Sequence, residues 1–323
     1  MWHMGAPVPR LVHIQGDREI PSAVAGCTYT PLYRHPTDLS PAVEAWTPAV
    51  RAIAQLVSKK LGRTYNQALV QLYRSGKDAI SEHADKTLDI EHGAPIVGVS
   101  LGASRTFTLR SKARLKANTG PQSIQHIALP DSSVYVLGLE SNRTFTHQIA
   151  ADKSPPHNRR PDENAFGGER ISITLRCVAS YLRSDGRVFG QGAPHKSEAA
   201  LEQAIAAGDA GAGRAPTDRT ARLAEEARLR QAFHDENKQE LGWEEVYGTQ
   251  RGFEILGNCP HLEVSARTVA AAGAPFSLTS AHVCEIRLSC AERGGERRGR
   301  WRRQRSNGGG LRARARARDR ELS

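Results

Sequence analysis

The run Arg170-Ile171-Ser172-Ile173-Thr174-Leu175-Arg176 alternates apolar and polar residues without a break. In an extended chain successive side chains point to opposite faces. Ile171, Ile173, Leu175 and Cys177 therefore share one face, and Arg170, Ser172, Thr174 and Arg176 share the other. The first face calls for a core. The second, with two arginines, fits the interior of a barrel that encloses an anion, because guanidinium forks match carboxylates bidentately. The competing reading is an edge strand whose arginines meet solvent and surface acids.

Upstream of this strand, Arg143-Thr144-Phe145-Thr146-His147-Gln148-Ile149 is also strand-like and carries a single imidazole. Further upstream, His83-Ala84-Asp85 sets an imidazole and a carboxylate two residues apart, on one face of an extended segment. One strand cannot wrap a metal, so a third ligand must come from elsewhere, and His147 is the candidate. Two histidines and one carboxylate occupy one face of an octahedral Fe(II) and leave the other positions open for chemistry. His83, Asp85 and His147 are thus the candidate catalytic metal ligands. Arg170 and Arg176 are the candidate contacts to an acidic cosubstrate.

Around this nucleus the pattern is one of short strands. Leu69–Tyr73, Pro95–Leu101, Arg105–Leu109, Ile124–Leu129, Ser133–Leu139, Thr144–Ile149 and Arg170–Val178 are separated by Gly, Pro and Asp, which predicts a sandwich or barrel. A helix is expected over Pro48–Leu61, with Thr47 as N-cap, Pro48 in the first turn and Gly62 ending it. The polar stretch 151–169 separates a metal ligand from the arginine strand and is read as a lid. Residues 1–40 read as loops and short hairpins. A short helix near Ser197–Ala207 and a charged amphipathic helix over Asp218–Glu240 follow. Leu223, Leu229 and Phe233 mark the apolar side of the second helix.

The 323-residue chain can bury a sizeable core. No apolar run approaches a membrane span, and the first residues lack the apolar core of a secretory signal, so no membrane partner is expected. The five cysteines are scattered without ligand spacing, which favours a reducing compartment. The net charge of +11 is mostly local, because residues 291–323 hold twelve arginines against four acids. That tail is read as disordered from about 257 on, with non-specific phosphate binding as the alternative.

Several separated motifs resemble the AlkB family of Fe(II)/2-oxoglutarate dioxygenases. The run from Asn66 to Lys86 includes Gln71, Tyr73, Gly76, Asp78, Ile80, His83 and Asp85. It is followed by Pro95 to Phe107, by Leu137 to His147 and by Glu169 to Arg176. The resemblance runs in order over roughly residues 65–183. Outside it, Pro31–Pro36, Gly190–Ala193 and Trp243–Gly248 look like extensions of fungal members. The implied organisation is an N-terminal extension with a lid and one helix (1–64), a dioxygenase core (65–183), a linker and helical extension (184–256) and the Arg-rich tail (257–323).

The resemblance implies a mainly β (α+β) fold, a double-stranded β-helix or jelly roll with flanking helices. It implies Fe(II) on His83, Asp85 and His147, and 2-oxoglutarate held by Arg170 at its distal carboxylate, with Arg176 near the metal-bound end. Tyr73 would donate its hydroxyl to the cosubstrate, and Gln71 stands where the family usually has Asn. Ser172 replaces an Asn frequent within the arginine strand. The implied activity is oxidative removal of N-alkyl groups from bases of alkylated DNA or RNA, consuming O2 and releasing succinate, CO2 and formaldehyde. A monomer in the nucleus or cytoplasm is the corresponding expectation. Met4, His13, Tyr29, Tyr33 and Arg34 are the residues that would supply a base-reading lid. Many nucleic-acid members carry an acid two residues after the metal Asp; here that position is Thr87, and the nearest acid is Asp89. The alternatives are a 2-oxoglutarate-dependent hydroxylase or demethylase of a protein or small molecule, and a non-enzymatic jelly-roll binding module.

Overall fold

The computed structural model describes residues 2–3, 6–36, 41–112, 123–248 and 252–256. Its strands, in chain order, are β1 (Trp2–His3), β2 (Ala6–Pro7), β3 (Leu11–Gly16), β4 (Ile20–Pro21), β5 (Thr28–Pro31), β6 (Val43–Ala45), β7 (Gln67–Tyr73), β8 (Ile80–His83), β9 (Ile96–Gly102), β10 (Arg105–Ser111), β11 (Ile124–Leu129), β12 (Ser133–Leu137), β13 (Phe145–Ile149), β14 (Arg170–Arg176), β15 (Ser180–Arg183) and β16 (Val188–Gly190). A six-stranded sheet runs β12-β9-β14-β7-β3-β6, and a four-stranded sheet runs β11-β10-β13-β8. A smaller sheet, β16-β15-β5-β4, joins segments from both ends of this fold.

Pairing within the two larger sheets defines the architecture. β7 pairs with β14, β8 with β13, β9 with β12 and β10 with β11, all antiparallel. The chain therefore doubles back after β10, and the resulting two-stranded ribbon passes alternately through the six- and four-stranded sheets. Successive turns of the ribbon are sealed by β9 with β14 and β10 with β13. That is the double-stranded β-helix; seven of its eight strands overlap the predicted ones, and β8 was not predicted as a strand.

The arginine strand β14 sits between β7 and β9, so it is central in its sheet and the edge-strand alternative fails. Its apolar face, with Ile173, Leu175 and Cys177 buried, packs outward against a helix over Pro48–Leu61 that buries Val50 and Ala54. Thr47 has extended backbone at the N-cap, Pro48 opens the helix, and Gly62 closes it with φ 63°, a left-handed conformation that favours glycine. Each large apolar side chain buried there contributes about 1.5–3 kcal/mol. The polar face of β14 is left pointing between the two sheets.

Three local readings change. The strand expected over Ser133–Leu139 stops at Leu137, and Leu139–Thr144 is a short helix. Local bonds explain the switch: Arg143 Nε donates to Glu140 Oε2 at 3.0 Å and Thr144 Oγ1 donates to the Glu140 carbonyl at 3.1 Å. The proline-rich start hides a six-residue strand, β3, which extends the six-stranded sheet alongside β7. Leu223 is 49% exposed and does not belong to the apolar stripe of its helix, Arg219–Lys238. The buried stripe is Leu229, Ala232, Phe233 and Glu236, at the i, i+3, i+4, i+7 spacing of one face.

That helix starts at Asp218, whose side chain accepts from Ala221 N at 2.7 Å. It packs with a short helix, Trp243–Tyr247, and with Phe253 and Ile255 around Leu88. The short helix expected near Ser197–Ala207 is present as Glu198–Ala206, capped by the Ser197 side chain. Cys27 and Cys177 are free thiols. No helix among the described residues is long and apolar enough to cross a membrane. The reading of the tail from 257 on lies outside the described residues.

Candidate active site

A pocket opens between the two sheets, and period-two alternation lines it. β14 contributes Arg170, Ser172, Thr174 and Arg176, and β7 contributes Leu69, Gln71 and Tyr73. The four-stranded sheet supplies His83 at the end of β8, Phe107 from β10, and His147 and Ile149 from β13.

His83 is the direct cross-strand partner of His147, which places their ring centroids 4.3 Å apart. Asp85 follows just past the end of β8. One ligand atom from each of His83, Asp85 and His147 lies within 4.8 Å of the others, so the three can hold one metal ion. The His83 Nδ1–H donates to the Ser81 carbonyl at 2.7 Å, which leaves Nε2 with its lone pair free for a metal. Asp85 is fixed at both levels. Asn142 Oδ1 accepts from its backbone N–H at 2.9 Å and Asn142 Nδ2 donates to its carbonyl at 2.8 Å. Arg176 Nη2 donates to its carboxylate at 3.1 Å.

Electrostatics put all three in ligating form. Burial, with His83 next to it, pushes His147 down to about 3, and burial lowers His83 as well, so both imidazoles are neutral at pH 7. Burial alone would raise the Asp85 carboxyl, but Arg176, His147 and His83 outweigh it and hold the group well below the usual carboxylate range. Two neutral imidazoles beside an ionised carboxylate are the donor set that Fe(II) takes. His147 Nδ1 is buried without a hydrogen-bond partner.

The other end of the pocket is built for an anion. Arg170 is 2% exposed. Its Nε donates to Ser100 Oγ at 2.8 Å and its Nη2 to Ser172 Oγ at 3.4 Å, while Nη1 is buried with no partner. The guanidinium lies 5.1 Å from the centre of the Tyr73 ring, and that of Arg105 lies 5.6 Å from it. A buried guanidinium lacking a carboxylate is costly unless an anion completes it. Gln71, with its amide oriented to satisfy Arg10, accepts from Arg10 Nε at 2.7 Å and Nη2 at 3.2 Å. Its NH2 is the group left for the pocket.

All seven predicted site residues, His83, Asp85, His147, Gln71, Tyr73, Arg170 and Arg176, therefore line one cavity. The suggested lid residues do not gather there. Arg34 is fully buried in an ion pair with Asp89 and also donates to the Phe253, Ile255 and Gly192 carbonyls. It is a structural cross-link, and it takes Asp89 with it. Tyr29 packs edge-on against Tyr181 and Phe189. His13 sits on β3 and is not among the lining residues. Met4 lies outside the described residues. Among the described ones, only Tyr33 reaches the site: its ring lies 4.4 Å from the Arg176 guanidinium, and its hydroxyl accepts from Lys86 N at 3.2 Å.

Three further residues matter here. Asn142 stands in the short helix Leu139–Thr144, in the gap between two predicted strands. Arg10 lay in a segment read as loop. Tyr135 lines the pocket from β12 and stacks on Phe107 at 4.8 Å. Its partner across the sheet is Gly98, where a Cβ would come within 2.0 Å of the Tyr135 ring. Gly98, set between Val97 and Val99, was the available signal for a close approach.

Residues 7–176 match the family model described as the 2OG-Fe(II) oxygenase superfamily. The chain is similar to the DNA oxidative demethylase ALKBH2 of Homo sapiens, 29% identical over 47% of this chain and 53% of that protein. It is similar to the mouse ALKBH2, 29% identical over 55% of this chain and 64% of that protein. It also resembles the human alpha-ketoglutarate-dependent dioxygenase alkB homolog 3, 26% identical over 41% of this chain and 43% of that protein. The matches span less than two thirds of the length of these relatives. A superfamily named for its metal and cosubstrate thus meets a pocket with one metal-ligand set and one unpaired buried cation, and the chain belongs to that superfamily.

Proposed function

We propose that this chain is an AlkB-like oxidative demethylase of alkylated DNA or RNA, with His83, Asp85 and His147 as the Fe(II) ligands. The observation that carries the reading is the coexistence, in one pocket, of the three-ligand set and the unpaired Nη1 of Arg170. The ALKBH2 relatives are DNA oxidative demethylases by name, which supports the substrate class.

When bound, Fe(II) and 2-oxoglutarate supply oxidation by O2: one oxygen atom goes to the N-alkyl carbon and the other to succinate, with loss of CO2. The hydroxymethyl group then leaves as formaldehyde and a proton returns to the base nitrogen. The chain's own residues arrange these events. Arg170 pairs the distal carboxylate of the cosubstrate, with Tyr73 and the Gln71 NH2 beside it. Arg176 holds one Asp85 oxygen, which would leave the other for the metal. Leu69, Phe107 and Ile149 make the surroundings apolar and keep water from the reacting carbon. Alkylated base, O2 and a monomeric protein in nucleus or cytoplasm complete the proposal.

A second reading, a hydroxylase or demethylase of a protein or small molecule, is favoured by Thr87. Its Oγ1 donates to Glu236 and its backbone N–H donates to the same carboxylate at 3.0 Å, so the side chain two residues after Asp85 is engaged by the C-terminal helix. Anaerobic binding of Fe(II) and 2-oxoglutarate, followed by turnover on methylated single- and double-stranded oligonucleotides, separates the readings. Formaldehyde release from the methylated oligonucleotides is expected. Oxygen-dependent succinate without base demethylation would point to the second reading, and absence of the metal-to-2-oxoglutarate absorption band would sink both.

A further inference from the structure

The segment that carries the metal carboxylate has no strand partner. β8 ends at His83, and the next ladder contact is the isolated bridge of Ile90 with Val178. Backbone N–H groups in such a stretch must find side chains. Here they do, one after another. Ala84 N donates to Asn237 Oδ1 at 2.6 Å, Asp85 N to Asn142 Oδ1, Lys86 N to the Tyr33 hydroxyl, and Thr87 N to Glu236 Oε1. Two of these four acceptors stand on the helix Arg219–Lys238.

The same helix and its successor grip the segment by other means. Lys86 Nζ donates to the Phe233 carbonyl at 3.0 Å, and the indole N–H of Trp243 donates to the Thr87 carbonyl at 3.1 Å. Leu88 is fully buried among Leu229, Phe233, Tyr247 and Phe253. Glu236 is itself locked, because the Tyr247 hydroxyl donates to its Oε2 at 2.5 Å and Lys112 Nζ donates to its carbonyl at 2.5 Å. All of these helical residues lie beyond Arg176, where the family match ends.

We propose that Asn237 is a positioning residue for the metal centre: its side-chain oxygen fixes the peptide between His83 and Asp85, with Glu236 and Trp243 securing the turn that follows. The inference rests on the reading of His83, Asp85 and His147 as metal ligands. Its physical content is geometric. Ala84 is the only residue between the two local ligands, so the orientation of its peptide sets the angle at which imidazole and carboxylate converge. Metal affinity depends on such outer partners as well as on the ligands, and their loss typically costs about 10–100-fold.

The test uses the full chain and Co(II) as a visible probe, without turnover. Wild type is expected to bind one Co(II), and His83→Ala to lose it; a wild type that does not bind would overturn the ligand reading itself. Asn237→Ala is expected to bind about 10–100-fold more weakly with an altered ligand-field spectrum. Asn237→Asp keeps the acceptor oxygen, with Lys86 Nζ 3.4 Å from it, and is expected to recover most of the affinity and the wild-type spectrum. An alanine variant that is less resistant to urea but binds Co(II) with wild-type affinity and spectrum would overturn the proposal, since a merely structural role predicts that result. An aspartate variant as weak as alanine would also overturn it. Should the alanine variant not fold, Trp243→Phe removes the indole donor to Thr87 while keeping an aromatic ring beside His92 and Tyr247. A several-fold weaker Co(II) affinity is expected there, and an unchanged one overturns the proposal.

Discussion

Replacing Arg170 with alanine tests the anion end of the pocket in isolation. The guanidinium is 2% exposed, spends Nε and Nη2 on Ser100 and Ser172, and keeps Nη1 unpaired. Its polar contacts are with neighbouring hydroxyls and none is with the metal triad. A hydrogen bond from a charged donor to a charged acceptor contributes about 1.5–3 kcal/mol. Loss of the Nη1 bond alone therefore predicts a 2-oxoglutarate Kd raised about 10–150-fold. The upper part of that range is tempered by Arg105, whose guanidinium stands over the same Tyr73 ring and leaves a positive field behind. The assay is an anaerobic titration of 2-oxoglutarate into Fe(II)-loaded protein, read by the metal-to-cosubstrate absorption band, with a parallel Co(II) titration. Weakened cosubstrate binding at unchanged metal affinity is expected. Arg170→Lys keeps a charge but loses the fork and the Ser100 contact, so it should fall between the two. A Kd for Arg170→Ala within about twofold of wild type would refute the assigned role, because no neighbouring group can replace a donor at that position without moving.

Three other outcomes follow from the same geometry. Asp85→Ala removes the one anionic ligand and leaves Arg176 buried and unpaired; metal binding and turnover should both vanish, and retained Co(II) binding at one equivalent would contradict the ligand set. The metal-free protein should lose stability in acid: His147 takes up its proton near 6.5 when unfolded but only at about 3 when folded, so the unfolded chain binds more protons across that window. Stability is then fully present above about 6.5 and falls as pH drops toward 3, with the depressed Asp85 carboxyl adding loss in the same direction at the acid end. Urea midpoints between pH 7 and 4 read this, and a slope that is not reduced in His147→Gln would show that another group is responsible. Arg34→Met strands the fully buried Asp89 carboxylate, at an expected cost of about 3–5 kcal/mol in unfolding free energy. If instead it weakens substrate binding at unchanged stability, the assignment of Arg34 to structure is wrong.

The parts of this molecule that the sequence announces are those governed by one periodicity at a time. Arg170–Arg176 alternates with period two and is buried on both faces for two different reasons, a helix on one side and the polar pocket on the other. Pro48 and Gly62 bracket a helix because one lacks a donor that the first turn does not need and the other adopts a left-handed φ. His83, Asp85 and His147 stand out because few other residue types suit the metal. Less legible was anything decided by pairing across distance. That His83 faces His147 is a matter of register between strands sixty residues apart, which neither strand encodes alone. Asn142 escaped because a six-residue helix is too short to show a helical period, so it passed as the gap between two strands.

The helix Arg219–Lys238 shows how a single misplaced residue conceals function. Leu223 and Leu229 are six residues apart, a rotation of about 240° at 3.6 residues per turn, so they cannot share a stripe. Counting both as apolar markers smears the buried face and leaves Glu236 on an apparently solvated side. Setting Leu223 aside, as its exposure requires, aligns Leu229, Ala232, Phe233 and Glu236 and leaves one carboxylate on the buried stripe. A buried carboxylate is expensive without partners. Its partners here are Thr87 and Tyr247, with Lys86 Nζ at 3.9 Å, and two of those three lie within two residues of Asp85. The contacts that fix the segment following His83 therefore continue past Arg176, where the family match stops, to Trp243. Variation in this C-terminal helix should then tune the metal site of this chain without touching any residue that the oxygenase fold itself requires.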